Sequence, residues 1–189
     1  MTLIFFGGSF DPPHRGHLAI IQYCCKHCEQ LLLVPTKYSP LGNRFPIAEG
    51  NHRIRMLELL IQDLDFYIEI DDWELTQPGP SFTYQTIRHL KEKYPDSNLS
   101  MVIGADQLIH FHKWNNYVDI MNSVQIIGFN RDNCNFTPPV EMKLSWLEEF
   151  KVDISSEAIR EKIKKGILFD NELTPSVLHY IQKNSLYGY

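Results

Sequence analysis

Continuous apolar runs alternate with amphipathic stretches along this chain, and that alternation restricts its possible folds more than any other feature. The runs "TLIFFGG", "QLLLVP", "LSMVIGAD" and "VQIIGF" each have the length of a buried strand and end at, or just before, a turn-forming or polar residue. Strands that are apolar at every position are typical of a parallel sheet covered on both faces. We therefore predict a doubly wound α/β domain.

The remaining segments complete the alternation. "FYIEID" and a stretch near "FKVDI" are expected to add strands, while "HLAIIQYCCKHC", "HRIRMLELLIQDL" and "VDIMNS" have helical spacing. A further helix is expected to end at Pro95, "SSEAIREKIKKG" to close at Gly166, and "TPSVLHYIQKN" to carry Pro175 in its first turn. A length of 189 residues suits a single domain, 1–189, whose C-terminal helical part covers about 154–189.

Polar and flexible residues follow the ends of several predicted strands. They are Gly7 and Gly8, Thr36 and Lys37, Gly104 to Asp106, and Arg131. Because the carboxyl ends of parallel strands share one edge of a sheet, we expect these residues to gather there. In doubly wound sheets that edge binds ligands.

Composition excludes several classes of partner. A net charge of −5 argues against binding to nucleic acid, which requires clustered basic residues. No apolar run approaches the roughly 18 residues of a membrane span. The N-terminal run lacks the basic flank of a signal peptide, so we expect no membrane association and a cytoplasmic location.

Four cysteines, one of them Cys134, fit a reducing compartment. Three fall in "CCKHCE", which raises the alternative of a metal site, although no second cysteine pair follows. We favour the structural interpretation, in which Cys24 and Cys28 are i, i+4 neighbours on a buried helix face.

The segment "GGSFDPPHRGH" carries the strongest chemical signal. Its glycines let backbone approach a ligand, and its prolines lead into a helix whose first N–H groups suit a phosphate. His14 and His17 are three residues apart, so on a helical turn they share a face. Each histidine alone has a structural explanation, but the whole string favours a polyphosphate site in which both imidazoles stabilise developing charge.

"ISSEAIR" suggests a second anion site. Ser155 or Ser156 would be the N-cap of a helix, with Arg160 about one turn further on. The alternative is an ordinary cap in which Glu157 and Arg160 form a surface pair.

Four other residues have both a functional and a structural interpretation. Gly104 would let a base lie against backbone, and Asp106 would accept from ribose hydroxyls or act as a helix N-cap. Trp114 offers a flat face for an aromatic ring or packs in the core. Arg131 would reach a phosphate or lie in a solvated loop.

Several of these segments together resemble a known family. "GGSFDPPHRGH" resembles the (H/T)xGH signature of the nucleotidyltransferase superfamily. Across nearly the whole chain, the sequence is similar to the bacterial nicotinate mononucleotide adenylyltransferases. The matching segments are "GPSFTYQTI" with PSYTxxTL, "VIGADQLIHFHKW" with IIGxDxxxxFxxW, "ISSEAIR" with ISxxxIR, and "LTPSVLHYIQKNSLY" with the C-terminal end.

The resemblance implies a Rossmann-like sheet, and an enzyme that transfers AMP from ATP to nicotinate mononucleotide in NAD biosynthesis. It implies Mg²⁺ brought with ATP, no metal ligands from protein side chains, and a monomer or small homo-oligomer. The implied catalytic residues are His14, His17 and Arg160. The implied ATP-binding residues are Gly8, Ser9, Phe10, His14, Gly16, His17, Gly104, Asp106, Ile154, Ser155, Ser156 and Arg160. The implied substrate-binding residues are Lys37, Thr83, Tyr84, Trp114 and Arg131.

One loop departs from the family pattern. Where relatives carry PNxxPPHK, this chain has "PTKYSPLGNR", with Leu41 in place of a histidine and Gly42 in place of a basic residue. Lys37, Asn43 or Arg44 would have to reach the same phosphate. Asn115 also stands where an aromatic residue is frequent.

Other functions remain open at this level. The same chemistry on nicotinamide mononucleotide or phosphopantetheine is the nearest alternative. A dinucleotide-dependent oxidoreductase would require G-x-G-x-x-G after the first strand, which "GGSFDPPHRG" does not supply. A nucleotide-binding sensor without catalysis would not need both histidines.

Overall fold

The computed structural model describes residues 1–41, 45–130, 142–151, 154–167 and 171–189, with the backbone alone for 148–151. Within these residues, six strands form one sheet in the order β3-β2-β1-β4-β5-β6, and every neighbouring pair is parallel. The predicted doubly wound, Rossmann-like α/β fold is confirmed. The strands are β1 (Thr2–Gly8), β2 (Gln30–Pro35), β3 (Ile68–Ile70), β4 (Asn98–Gly104), β5 (Gln125–Asn130) and β6 (Leu144–Lys151).

Helices connect and follow the strands. None of them, in the described ranges, is both long and apolar enough to cross a membrane. They are α1 (Arg15–Cys25), α2 (Gly50–Ile61), α3 (Trp73–Thr76), α4 (Thr83–Lys93), α5 (Ala105–Leu108), α6 (Tyr117–Ser123), α7 (Ser156–Lys164) and α8 (Pro175–Lys183), with 3₁₀ turns at Phe111–Lys113 and Leu186–Gly188.

The helix boundaries follow local chemistry. Ser155 accepts a hydrogen bond from the Ala158 N–H at the start of α7, and Gly166 follows that helix with φ +63°. Thr174 caps α8, and Pro175 occupies its first turn. These features match the predicted helix ends, because a hydroxyl satisfies free N–H groups and glycine adopts the left-handed conformation at little cost.

The last strand begins earlier than expected. The sequence predicts a strand near "FKVDI", whereas β6 already begins at Leu144 and ends at Lys151. β6 lies at the edge of the sheet and pairs only with β5 among the described strands. An edge strand tolerates polar side chains, so its sequence "LSWLEEFK" lacks the continuous apolar run that marks the central strands.

Residues of the central strands point alternately into two cores. One core joins Ile4, Phe6, Leu31 and Leu33 to residues of α1, α2, α7 and α8. The other joins Leu3, Phe5, Leu32 and Val34 to residues of α4, α5 and α6. Burial on both faces explains why these strands are apolar at every position.

The strand order places a crevice beside β1. The chain moves outward from β1 through β2 to β3, then returns to β4 on the other side of β1. The connections leaving β1 and β4 therefore diverge at their carboxyl ends, where Gly8 and Gly104 lie. This is the switch point at which doubly wound proteins bind their ligands.

Candidate active site

The turn between β1 and α1, residues 8–14, leaves no room for extra side-chain atoms. A Cβ added at Gly8 would lie 3.2 Å from Cζ of Phe10. Phe10 has a φ of +49° and is fully buried, and its ring centroid lies 5.0 Å from that of His17. Gly8 is partly exposed and Ser9 is exposed, so this turn is accessible to a ligand.

The two histidines of the turn cap α1 reciprocally. The Nδ1 of His14 accepts from the backbone N–H of His17 at 3.4 Å, and the Nδ1 of His17 accepts from that of His14 at 3.1 Å. The rings stack with centroids 3.7 Å apart. Since each neutral imidazole uses Nδ1 as an acceptor, its proton resides on Nε2. Both rings can therefore donate from Nε2, and His17 is the more exposed of the pair.

Helix α7 joins the same turn from the far end of the sequence. The hydroxyl of Ser156 donates to the Pro12 carbonyl at 2.9 Å, and Arg160 donates to the Asp11 carbonyl at 2.6 Å. Ile154, just before α7, packs against the neighbouring core. The sequence also allowed a surface pair between Glu157 and Arg160. Arg160 instead contacts Asp11. The N-termini of α1 and α7 thus both lie at the β1–α1 turn, and a helix N-terminus favours negative charge.

The carboxylate of Asp11 holds this arrangement together. It is 2% exposed and accepts from the N–H groups of Ile47 at 2.6 Å and Ala48 at 3.0 Å. The hydroxyl of Tyr187 donates to it at 2.8 Å, and Arg160 lies 3.8 Å away. Burial, followed by the charge of Asp11, raises the pKa of Tyr187, so this phenol remains a donor.

A buried arginine binds backbone carbonyls just after β1 and β2. Arg53 is 2% exposed and donates to the carbonyls of Ser9 at 2.8 Å, Thr36 at 2.7 Å and Ala48 at 3.2 Å. Burial lowers its pKa, and the charge of Asp11 opposes this shift. Sequence reasoning missed Arg53, because its pattern predicts only an amphipathic helix.

The end of β4 forms the opposite wall of the crevice. A Cβ at Gly104 would contact the Asp106 carboxylate and would lie 3.3 Å from Cζ of Phe129. Gly104 itself is the N-cap of α5 and Asp106 lies in its first turn, so the alternative of Asp106 as the cap is wrong. The absence of a side chain at Gly104 makes room for the Asp106 carboxylate and the Phe129 ring.

Four of the predicted substrate-binding residues lie in the described part of the chain, two of them at the start of α4. Thr83 is the first residue of α4, while Tyr84 and Trp114 are partly buried against the second core. Lys37 donates from Nζ to the Gln77 carbonyl at 2.5 Å and from its backbone N–H to the Ser81 hydroxyl at 3.0 Å. Arg131 lies outside the described residues, as do Gly42 and the alternative phosphate contacts Asn43 and Arg44.

The three cysteines in the described part of the chain, Cys24, Cys25 and Cys28, lack the properties of a reactive site. Burial raises the pKa of Cys24 to about 12 and that of Cys25 to about 11, which disfavours the thiolate that metals and electrophiles require. Helix α1 ends at Cys25, so the expected helical pairing of Cys24 with Cys28 is wrong. Cys28 follows in a turn that still packs against the same core. Over the described ranges, no three His, Cys, Asp or Glu side chains gather as a metal site would require.

The Tyr187 hydroxyl provides a test of the Asp11 contacts. Tyr187→Phe leaves a buried carboxylate with one donor fewer, so we expect the free energy of unfolding in urea to fall by about 1–3 kcal/mol. Tyr189→Phe is the matched control, because that ring is 51% exposed and its hydroxyl only accepts from Gln182. The control should change stability by less than about 0.5 kcal/mol. Equal effects of the two variants would contradict the role of Asp11.

Comparisons with known proteins agree with this geometry. A profile of the cytidylyltransferase-like family matches residues 5–162. The probable nicotinate-nucleotide adenylyltransferase of Methylacidiphilum infernorum is 33% identical over 190 residues, covering 98% of this chain and 91% of that protein. The nicotinate-nucleotide adenylyltransferase of Bacillus subtilis is 32% identical, with 96% of each chain covered.

A solved structure shares the fold. Plasmodium falciparum nicotinic acid mononucleotide adenylyltransferase, complexed with NaAD, superposes with a TM-score of 0.83 at 18% identity, covering 98% of this chain and 97% of that one. Because the family profile spans most of the sequence and full-length relatives are about one-third identical, the chain belongs to the cytidylyltransferase-like family and, within it, to the nicotinate-nucleotide adenylyltransferases.

Proposed function

We propose that this protein transfers AMP from ATP to nicotinate mononucleotide, forming nicotinate adenine dinucleotide and pyrophosphate, as a step of NAD biosynthesis. One observation carries the proposal: α7 docks through Ser156 and Arg160 on the turn that bears His14 and His17. Two helix N-termini, two imidazoles and a guanidinium would then face the same bound group at the switch point. This donor set suits a triphosphate.

The chemistry requires no covalent intermediate on the protein. An oxygen of the mononucleotide 5′-phosphate attacks the α-phosphorus of ATP, and the bond from that phosphorus to the bridging oxygen of pyrophosphate breaks. His14 and His17 would donate from Nε2 to phosphate oxygens as negative charge moves toward the leaving group. Positioning and charge stabilisation would supply most of the rate enhancement.

The remaining predicted residues divide between the two substrates. Backbone at Gly8, Ser9, Gly16 and Gly104 would approach ATP, Asp106 would accept from its ribose, and the α7 segment would hold its outer phosphates. Phe10 is fully buried, so we assign it support of the His17 ring. The mononucleotide would lie near Lys37, Thr83, Tyr84, Trp114 and Arg131.

Mg²⁺ is proposed to enter with ATP. The carboxylate of Asp11 already accepts three hydrogen bonds, and the described residues offer no group of three acidic or imidazole ligands. This fits an ion coordinated chiefly by substrate phosphates and water, as is usual for Mg²⁺. When bound, the ion would neutralise phosphate charge.

Three further assignments stay proposals. They are a single nucleotidyltransferase domain over 1–189, a cytoplasmic location, and a monomer or small homo-oligomer.

The substrate assignment is tested by pyrophosphate release with ATP and Mg²⁺. We expect the highest kcat/KM with nicotinate mononucleotide, and lower values with nicotinamide mononucleotide and phosphopantetheine. A preference for another acceptor would keep the nucleotidyl transfer and overturn the substrate. Absence of release with all three would leave a nucleotide-binding protein.

His17 is expected to be essential for turnover. Removing one donor to the transition state costs roughly 10²-fold or more, so we expect kcat of His17→Ala to fall by that factor. His17→Gln keeps an acceptor for the helix cap and should fold equally well without restoring kcat. His112→Ala, at an exposed histidine, is the control. Near-normal turnover in folded His17→Ala would refute the proposed mechanism.

Arg160 is expected to act on the ATP side. Loss of a hydrogen bond from a charged donor lowers affinity by roughly tenfold or more. Arg160→Ala should therefore raise the KM for ATP by about tenfold. The KM for the mononucleotide should change much less. Arg55→Ala, which removes an exposed guanidinium paired with Glu58, is the control. Equal increases in both KM values would contradict the assignment of Arg160 to ATP binding.

A further inference from the structure

A buried glutamate lies beneath the side of the site assigned to the mononucleotide. Glu74, on the short helix α3, is 7% exposed. The hydroxyl of Thr86, in α4, donates to its Oε1 at 2.5 Å, and Thr86 is itself 2% exposed. The contact joins α3 to α4 three residues after Thr83. Neither the sequence motifs nor the proposed mechanism assigns Glu74 a role.

Two further hydroxyls face the same carboxyl group. Those of Ser81 and Thr36 lie close enough to lower the pKa of Glu74, although burial has the larger effect and raises it. Oε2 is buried and has no aligned donor among the described residues. A carboxyl in this position can hold three segments together: the end of β2, the loop before α4, and α4 itself.

The surrounding hydrogen bonds show that these segments are joined at this point. The backbone N–H of Lys37 donates to the Ser81 hydroxyl at 3.0 Å, and that of Ser81 donates to the Tyr38 carbonyl at 3.0 Å. The N–H of Thr36 donates to the Gly8 carbonyl at 2.8 Å. The two loops flanking the proposed mononucleotide pocket are therefore connected to each other and to the β1–α1 turn.

This arrangement gives a physical reason for the spacing in "GPSFTYQTI". Ser81 and Thr86 direct their hydroxyls toward Glu74, inside the protein, while Thr83 and Tyr84 lie between them at the start of α4. A substrate contact from Thr83 or Tyr84 requires α4 to begin at a fixed place. Glu74 determines that place through the residues on either side.

We propose that Glu74 is a positioning residue for the acceptor mononucleotide, acting through Ser81, Thr86 and Thr36 and not by contact with substrate. This inference rests on the proposed function. We expect the consequence to be selective, because the ATP side is held chiefly by the contacts of Asp11 and by those of Arg53 with Ser9 and Ala48, none of which involves the Glu74 carboxyl group. Thr36 is shared by both sides, since Arg53 also donates to its carbonyl. Loss of the carboxyl group should displace the acceptor pocket and leave the ATP pocket in place.

The test compares steady-state constants for both substrates. Glu74→Leu removes the acceptor atoms at similar volume, so the KM for nicotinate mononucleotide should rise at least about tenfold, since small misplacements of substrate are costly. The KM for ATP should change by less than about twofold. Glu74→Gln keeps the Oε1 acceptor and should restore the KM for the mononucleotide.

Controls separate positioning from stability. Leu90→Ala, in the core face of α4, should lower stability and leave both KM values unchanged, and Glu92→Ala tests loss of an exposed carboxylate on the same helix. If Glu74→Leu does not fold, the same KM comparison is made with Thr86→Val, which removes the hydroxyl that donates to Oε1 of Glu74. Unchanged KM for the mononucleotide, or equal increases for both substrates, would overturn the proposal.

A failure of the proposed function can be distinguished from a failure of the Glu74 proposal. If wild-type protein releases no pyrophosphate with nicotinate mononucleotide but does so with another acceptor, the same KM comparison is made with that acceptor. A selective increase there would retain Glu74 as a positioning residue and replace only the substrate. No selective increase would reject the positioning role.

Discussion

The geometry of this site depends on one buried carboxylate. Asp11 accepts from two consecutive N–H groups at Ile47 and Ala48 and from the hydroxyl of Tyr187, and it lies beside Arg160. These donors come from the loop after β2, the C-terminal turn and α7. A carboxylate with 2% exposure is tolerable because the donors replace its lost hydration. The same contacts bring together segments that the sheet alone would leave unconnected.

Arg53 complements Asp11 with the opposite charge. Its guanidinium binds three backbone carbonyls, including those of Ser9 and Thr36, so it orients the main chain at the ends of β1 and β2. Neither group needs to touch a substrate to matter. Together they hold the β1–α1 turn in one conformation, and preorganised donors stabilise a transition state without the cost of rearrangement during the reaction.

The sequence predicts features that neighbouring residues form, and it misses those that depend on residues far apart in the chain. Buried strands, the shared helical face of His14 and His17, and a cap at Ser155 or Ser156 are local patterns, and they were predictable from a few consecutive residues. The partners of Asp11 were not, because Tyr187 lies 176 residues away and its hydroxyl has no sequence signature. Arg53 likewise looked like any basic residue of an amphipathic helix. The edge strand β6 was misplaced because edge strands lack a continuous apolar pattern.

The two halves of the site are built differently, and this bears on the unusual loop after β2. The proposed phosphate side consists of two helix N-termini joined by short contacts, whereas the proposed acceptor side consists of loops held by Ser81, Lys37 and Glu74. In this structure the Lys37 ammonium binds the Gln77 carbonyl, within the acceptor side. We therefore expect a changed sequence in that loop to alter recognition of the proposed acceptor more than that of ATP. On this proposal, nucleotidyl transfer can be retained while recognition of the second substrate varies, because Asp11 supports the proposed phosphate side and Glu74 the proposed acceptor side, although Arg53 contacts both.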